Sequence, residues 1–393
     1  MIRQAALYLA TDDDLRAARL CVAGRPVAFR AMLAAVRAGA LRVAAPAALR
    51  SPDLEAALAT SPSVRAALVW LDTTGALAPE PTLVLPAAGL APAPALARLL
   101  REPPGRVLAE SWPAEAPVLT VDSPMLARLE ASLLAGAPLG ETLAREVTAG
   151  ALAATSGERW FVRVTGEREA AEAEARLWSE LGSPIDTRLD VAVHRRLSRN
   201  VTRAAVALGI APNPITVASG VVGLAAAAVI ARGEPAALLA GLLLYLVAVV
   251  LDHADGEVAR LTLTESAIGE WLDITVDTVV HAALVLALGV AADRVTGLGL
   301  SAGVVAAVGV VASATVAKRW PPAPPTARER GLLDPLTSRD GFYLMLVVFI
   351  AVRLVVPAWL PALMFVVAVG THAYWLARAA LSIRPAPSAG TRS

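Results

Sequence analysis

The chain has 393 residues, 56% of them hydrophobic, and a mean hydropathy of +0.59, which is too apolar for an ordinary water-soluble protein. A net charge of +1 gives no electrostatic footprint for nucleic acid, and no nucleic-acid partner is expected. Cys21 is the only cysteine, so an intrachain disulfide is excluded; Lys318 is the only lysine among 35 basic residues, a coding bias rather than a functional signal.

Met1 to Ala10 lacks the charged start and long apolar core of a signal peptide. Residues 1–182 mix charged and apolar positions and hold no run long enough to span a bilayer. Ala5 to Ala10 reads as a buried strand, Ala28 to Ala38 as an amphipathic helix ending near Gly39, and Leu41 to Ala45 as a second strand. Ala66 to Leu71 and Thr82 to Leu85 are further strands; Pro92 to Arg101, Met125 to Leu134 and Glu167 to Leu181 are helical. This alternation predicts a soluble α/β domain with a mostly parallel sheet. Asp12, Asp13 and Asp14 follow the first strand and read as a solvated turn capping a helix, with a metal site as the alternative.

Residues 183–209 change character. Arg188, Arg195, Arg196, Arg199 and Arg203 are interleaved with Leu189, Val193, Leu197 and Val201 at intervals of four, which gives an amphipathic helix with a basic face. Such a helix suits an anionic membrane surface; the alternative is a linker packed on the soluble domain. Residues 210–384 then hold six apolar spans, at 213–231, 235–256, 267–291, 296–317, 341–357 and 359–381, each near the ~20 residues a bilayer needs. Residues 385–393 form a flexible tail. The predicted fold is an α-helical integral membrane domain of six transmembrane helices with an amphipathic surface helix, preceded by the soluble α/β domain.

Basic residues orient these spans. Five arginines precede the first span; Lys318, Arg319, Arg328, Arg330 and Arg339 follow the fourth; Arg378, Arg384 and Arg392 close the chain. The other side carries Arg232, Arg294 and Arg353. The positive-inside rule therefore puts the soluble domain, the loop joining spans two and three, and the C-terminus in the cytoplasm, in a prokaryotic inner membrane.

Chemistry concentrates between residues 252 and 277. On a helix, Asp252, Asp255, Gly256 and Ala259 share one face, as do Gly269, Asp273 and Asp277 on the next. Two such helices joined by a short turn point four carboxylates at a common centre. Carboxylates that close repel unless a cation neutralises them, and hard oxygen ligands without His or Cys suit Mg²⁺, Mn²⁺ or Ca²⁺. The small residues leave room for a ligand, and Arg260 is placed to hold a phosphate. Two weaker readings compete: a solvated acidic loop, and a divalent-cation transport path, which has no need of an arginine beside its carboxylates.

The pattern D-x-x-D-G-x-x-A-R, eight residues, then G-x-x-x-D-x-x-x-D, resembles the signature of CDP-alcohol phosphatidyltransferases, and every fixed position is met. The resemblance implies that an acceptor hydroxyl displaces CMP from a CDP-activated alcohol, with Mg²⁺ or Mn²⁺, two ions, held by Asp252, Asp255, Asp273 and Asp277. By the same resemblance Asp277 is the catalytic base, Gly256, Ala259 and Gly269 make room for cytidine, and Arg260 reaches the diphosphate. Asn213, in a Pro-Asn-x-x-Thr entry to the first span, is a further candidate for CDP binding, with helix capping as the alternative. Lys318, Arg319 and Arg339 are candidates for an acceptor phosphate, with topogenic charge as the alternative. The implied partners are a CDP-alcohol donor, an alcohol or alcohol-phosphate acceptor, the bilayer and a second copy of the chain in a homodimer. CDP-diacylglycerol is the leading donor and CDP-inositol the alternative. The two-domain layout resembles the fused inositol-phosphate cytidylyltransferase and di-myo-inositol-phosphate-phosphate synthase enzymes. Gly24-Arg25-Pro26 before a helix is similar to the opening of a nucleotidyltransferase, but the Gly-rich loop and the Pro-Lys pair are missing. The first domain is therefore expected to be a degenerate nucleotidyltransferase. His372 and Tyr374 are left without a role.

Overall fold

The computed structural model describes residues 1–72, 77–108, 116–148, 153–155, 161–181, 193–319 and 339–382. Arg188, Leu189, the proline-rich stretch with Arg328 and Arg330, and the tail from 385 lie outside the described residues. The chain divides into two compact units, Met1–Leu181 and Gly182–Ser393.

In chain order the first unit runs β1 (Gln4–Tyr8), α1 (Asp14–Ala17), β2 (Cys21–Val22), β3 (Arg25–Pro26), α2 (Val27–Ala38), β4 (Arg42–Pro46), α3 (Pro52–Ala59), α4 (Pro62–Ala67), β5 (Leu68–Leu71) and β6 (Thr82–Pro86). It continues with β7 (Gly89–Leu90), α5 (Ala93–Arg101), β8 (Arg106–Leu108), β9 (Leu119–Val121), α6 (Ser123–Ala135), α7 (Gly140–Thr148), β10 (Ala153–Thr155), β11 (Val162–Arg163) and α8 (Glu167–Ser179). Seven strands form one sheet in the order β10-β8-β9-β6-β1-β4-β5. Strand β1 is central, parallel to β4 and β6, with Ala5 opposite Val43 on one side and Leu83 on the other. Every residue of β1 is buried, as expected of a strand covered on both faces. The sheet is mixed, because β9 runs antiparallel to both β6 and β8. Strands β8 and β9 follow one another closely in sequence, and antiparallel pairing needs no crossover helix. Helix α2 ends at Gly39, whose φ of +113° lies in the left-handed region that glycine adopts without strain.

The turn after β1 differs from the expectation of a solvated cap. Asp12 and Asp13 are exposed, but Asp14 is 1% exposed. Its carboxylate accepts from the Ala10 amide (2.8 Å) and the Thr11 hydroxyl (2.9 Å), and pairs with Arg163 of β11 at 2.9 Å. A partly buried arginine explains why this carboxylate turns inward.

The second unit holds α9 (Arg195–Ala207), α10 (Pro212–Ile230), α11 (Pro235–Thr262), α12 (Ala267–Thr296), α13 (Leu300–Arg319), α14 (Arg339–Val355) and α15 (Leu360–Ser382). Among the described residues five helical stretches are long and apolar enough to cross a membrane: α10, α11, α12, α13 and Pro357–Ala377. The fifth expected span is the shorter α14, apolar over Gly341–Val355. Small residues set the closest approaches. A Cβ on Gly220 or Gly223 of α10 would come within 2.7 or 2.6 Å of the Val276 or Val280 side chain on α12, and one on Gly289 of α12 within 2.5 Å of the Gly303 Cα on α13. Helices surrounded by apolar chains gain from such backbone proximity through dispersion contacts. Below these contacts Ile230, Leu238, Leu284, Leu288, Phe349 and Met364 join one buried cluster spanning α10, α11, α12, α14 and α15.

Helix α9 is amphipathic, but its buried side is not the apolar one that the expected basic-faced helix implies. Arg195 is 7% exposed, and Ser198 and Thr202 are fully buried, whereas Leu197 is 44% exposed. The inward stripe of α9 is polar because Glu257 of α11 waits opposite it with a full charge to satisfy. Arg196 and Arg203 remain exposed.

Candidate active site

The two acidic helices are folded back on each other by the four residues Leu263 to Ser266. Leu263 takes a left-handed φ of +58°, uncommon for a leucine, and accommodates the tight reversal. Ser266 then caps α12, its hydroxyl accepting from the Gly269 amide at 3.0 Å. The motif is helical on both sides of this turn, which overturns the acidic-loop alternative: Asp252 and Asp255 sit on α11 at 9% and 5% exposure.

Oxygens of Asp252, Asp255 and Asp273 all lie within 4.8 Å of one another. Asp277, one turn further along α12, falls outside that trio. Asp255 has one buried oxygen, Oδ2, that accepts no hydrogen bond. A carboxylate oxygen deprived of both water and donors, beside two further carboxylates, is the arrangement a divalent cation satisfies. The residues present fit Mg²⁺ or Mn²⁺; an all-oxygen donor set offers nothing to a softer metal.

Beside the trio lies a cavity of about 450 Å³. Helix α10 contributes Pro212, Asn213 and Thr216; α11 contributes Asp255, Gly256, Ala259 and Arg260; α12 contributes Gly269, Glu270 and Asp273. All five positions expected to contact CDP are therefore brought to one cavity. A side chain at either glycine would crowd polar side chains beside the cavity. A Cβ on Gly256 would lie 3.3 Å from an Arg260 guanidinium nitrogen, and one on Gly269 would lie 3.3 Å from the Asn213 amide oxygen. Lys318 and Arg319 are exposed at the end of α13 and do not line the cavity; Arg339 is the first residue of α14.

Two features were missed by the sequence reading. Glu257, fully buried, accepts from Arg195 Nη1 (2.9 Å), Ser198 Oγ (2.9 Å) and Thr202 Oγ1 (2.6 Å). The signal was present as Arg195, Ser198 and Thr202, which recur at i, i+3 and i+7 and so share a face. Glu265 and Glu270 also border the cavity. The histidines near the motif are packed polar groups. His281 Nδ1 donates to the Asp277 carbonyl (2.7 Å), which leaves Nε2 to accept from the Tyr245 hydroxyl (3.0 Å). His253 bonds the Val249 carbonyl, and His372 bonds the Val305 carbonyl (both 2.9 Å).

Residues 209–330 match the family model described as CDP-alcohol phosphatidyltransferase. No curated protein matches the chain. Among solved structures the chain is similar to a crystal structure of the Mycobacterium tuberculosis phosphatidylinositol phosphate synthase with CDP-DAG bound, at 18% sequence identity, 49% coverage of this chain, 99% coverage of that chain and a TM-score of 0.39.

Proposed function

We propose that this chain, whose residues 209–330 match the CDP-alcohol phosphatidyltransferase family model, is an enzyme that transfers a phosphatidyl group from CDP-diacylglycerol to a polar alcohol or alcohol phosphate and releases CMP. One observation carries the reading. A single cavity gathers Asn213, Gly256, Ala259, Arg260 and Gly269 against Asp255 and Asp273, so a binding space for CDP opens onto the acidic centre. A cation path would not place Arg260 there.

The acceptor oxygen forms a bond to the phosphorus that carries the donor alcohol, and the bond from that phosphorus to the CMP oxygen breaks. The acceptor's proton passes to the Asp277 carboxylate, and CMP departs with the bonding electron pair. Asp252, Asp255 and Asp273, with Asp277 beside them, would hold the divalent ions, whose chemistry is to neutralise the diphosphate and the departing phosphate. Arg260 supplies a fixed positive charge to the diphosphate, and its planar fork suits two phosphate oxygens. Gly256, Ala259 and Gly269 leave the cavity wide enough for a pyrimidine nucleoside. Phosphoryl transfer of this kind rests mainly on positioning and charge stabilisation. The donor tails lie among the apolar helices, with the cavity and the first unit on the cytoplasmic side and the chain paired as a homodimer. Purified protein supplied with CDP-diacylglycerol or CDP-inositol and a panel of acceptors is expected to release CMP only with CDP-diacylglycerol; CMP release with CDP-inositol alone would replace the donor.

Lys318, Arg319 and Arg339 are proposed to receive an acceptor phosphate. Arg339→Gln is then expected to raise the acceptor KM at least about tenfold, as loss of a charge-assisted pair does, with the donor KM within about twofold. An unchanged acceptor KM returns these residues to a purely topogenic role.

The first unit is proposed to be a nucleotidyltransferase-like domain without catalysis. A triphosphate loop needs free backbone amides after the first strand. Here the Ala10 amide is already taken by Asp14, and Arg163 closes over the same turn. Full-length protein given CTP and a series of sugar and polyol phosphates is expected to release no pyrophosphate; steady turnover with any of them would make the protein bifunctional.

A further inference from the structure

Helix α11 carries two buried carboxylates two residues apart, and the structure treats them oppositely. Asp255 keeps an oxygen without a donor. Glu257, at 0% exposure, has both oxygens satisfied, Oε1 by Arg195 and Ser198 and Oε2 by Thr202, all three from α9. At about 100° per residue, Glu257 lies about 140° around the helix from Asp252. One side of α11 therefore faces the acidic centre while the other is held by three donors on a single neighbouring helix.

We infer that Glu257 is a positioning residue: α9 clamps α11 through it, and this clamp fixes the rotation of α11 that delivers Asp252 and Asp255 to the metal centre. The inference rests on the metal reading of the three aspartates. Burying an ion pair is not in itself a route to stability, since desolvation offsets most of the attraction. What a charged carboxylate with three directed donors does supply is a single orientation. Apolar contact alone would not select one: beside the clamp, Val201, Ala205 and Val206 of α9 cluster with Leu251, Ala254 and Val258 of α11, apolar side chains without directional bonds. Rotation by a fraction of a turn would carry Asp255 away from Asp273, so the clamp acts on metal affinity before it acts on folding.

The test is direct Mn²⁺ binding by full-length protein in detergent, read from the spin-resonance signal of free Mn²⁺ well below the unfolding temperature. Glu257→Ala is expected to weaken binding by about 10- to 100-fold, the range seen when the groups that orient metal ligands are removed. Glu257→Gln, which keeps a hydrogen-bonding amide between Ser198 and Thr202, is expected to lose less. Arg353→Met serves as a stability control: it removes a 3.0 Å bond to the Gly233 carbonyl, at the opposite end of α11. It is expected to lower the melting temperature and leave Mn²⁺ binding unchanged. Should Glu257→Ala not fold, Ser198→Ala with Thr202→Val removes two donors and leaves the ion pair, and about threefold weaker binding is expected. Wild-type affinity in whichever of these is recovered overturns the clamp. Failure of the premise looks different: if wild type binds no Mn²⁺, or Asp255→Asn binds it as wild type does, the metal reading falls and the clamp with it.

Discussion

Asp277→Asn is expected to lower turnover by about 10²- to 10⁴-fold, the usual contribution of a positioned general base, while Mn²⁺ binding stays within about threefold of wild type. The separation follows from geometry. The three aspartates that converge within 4.8 Å are Asp252, Asp255 and Asp273, and Asp277 stands one helical turn beyond them on α12. A carboxylate at that place is near enough to share the centre's field while standing outside the group of three. Asparagine keeps its shape and can accept a hydrogen bond, but it cannot take the acceptor's proton. The backbone around it is held independently, because His281 bonds the Asp277 carbonyl and Tyr245 bonds His281. A local collapse is therefore not the expected cause of the loss. Single-turnover CMP release and Mn²⁺ titration on the same preparation check the result. Turnover equal to wild type would remove Asp277 from the base role, and loss of Mn²⁺ binding together with activity would make it a fourth ligand instead.

How far the sequence could be read depended on whether a residue's partner lay at a regular interval or far away. The two acidic faces were legible because their spacing is helical and local, and the structure keeps both helices through the motif. The long strands and amphipathic helices of the first unit were legible for the same reason: β1, β4 and β6 each run apolar after one polar first residue, and Gly39 marks the end of α2. The antiparallel β9 was not. Strands β8 and β9 have three residues each, too short for any period to emerge. Asp14 and Glu257 were misread or missed because each is buried by an arginine distant in sequence, Arg163 and Arg195. A charge pattern along one helix gives the direction of its polar face, and only the opposing helix decides whether that face meets water or a counter-charge. For α9 the answer was divided: Arg195, Ser198 and Thr202 turn inward, while Leu197 faces outward with Arg196 and Arg203.

The same contrast bears on how the two units use their charge. In the first, both oxygens of Asp14 are engaged by Arg163 and two further donors, while its neighbours Asp12 and Asp13 face solvent. In the second, Glu257 is closed in the same manner, but Asp255 is left with an open oxygen facing two more carboxylates. Among the described residues, three converging carboxylates therefore occur only in the unit proposed to catalyse.

Asp255→Asn should eliminate metal-dependent activity, with Mn²⁺ affinity falling more than about 100-fold, beyond the range for groups that only orient ligands. The expected effect on stability has the opposite sign in the two states. Without metal, ionised carboxylates whose oxygens lie within 4.8 Å of one another repel. Neutralising Asp255 relieves part of that repulsion, and the metal-free variant should melt at a higher temperature than metal-free wild type. With metal the order reverses. Wild type gains stability from any ion that binds the folded state alone, by about 2.7 kcal/mol at a concentration of 100 times Kd, and the variant should gain almost nothing. Melting curves of both proteins in EDTA and in excess Mn²⁺, alongside CMP release, give four temperatures and two rates. EDTA should abolish turnover of wild type, and Mg²⁺ or Mn²⁺ should restore it. Full turnover of a metal-free preparation, or a metal-free variant that melts below metal-free wild type, would mean that the three carboxylates are held apart by the protein itself and that no cation is needed to bring them together.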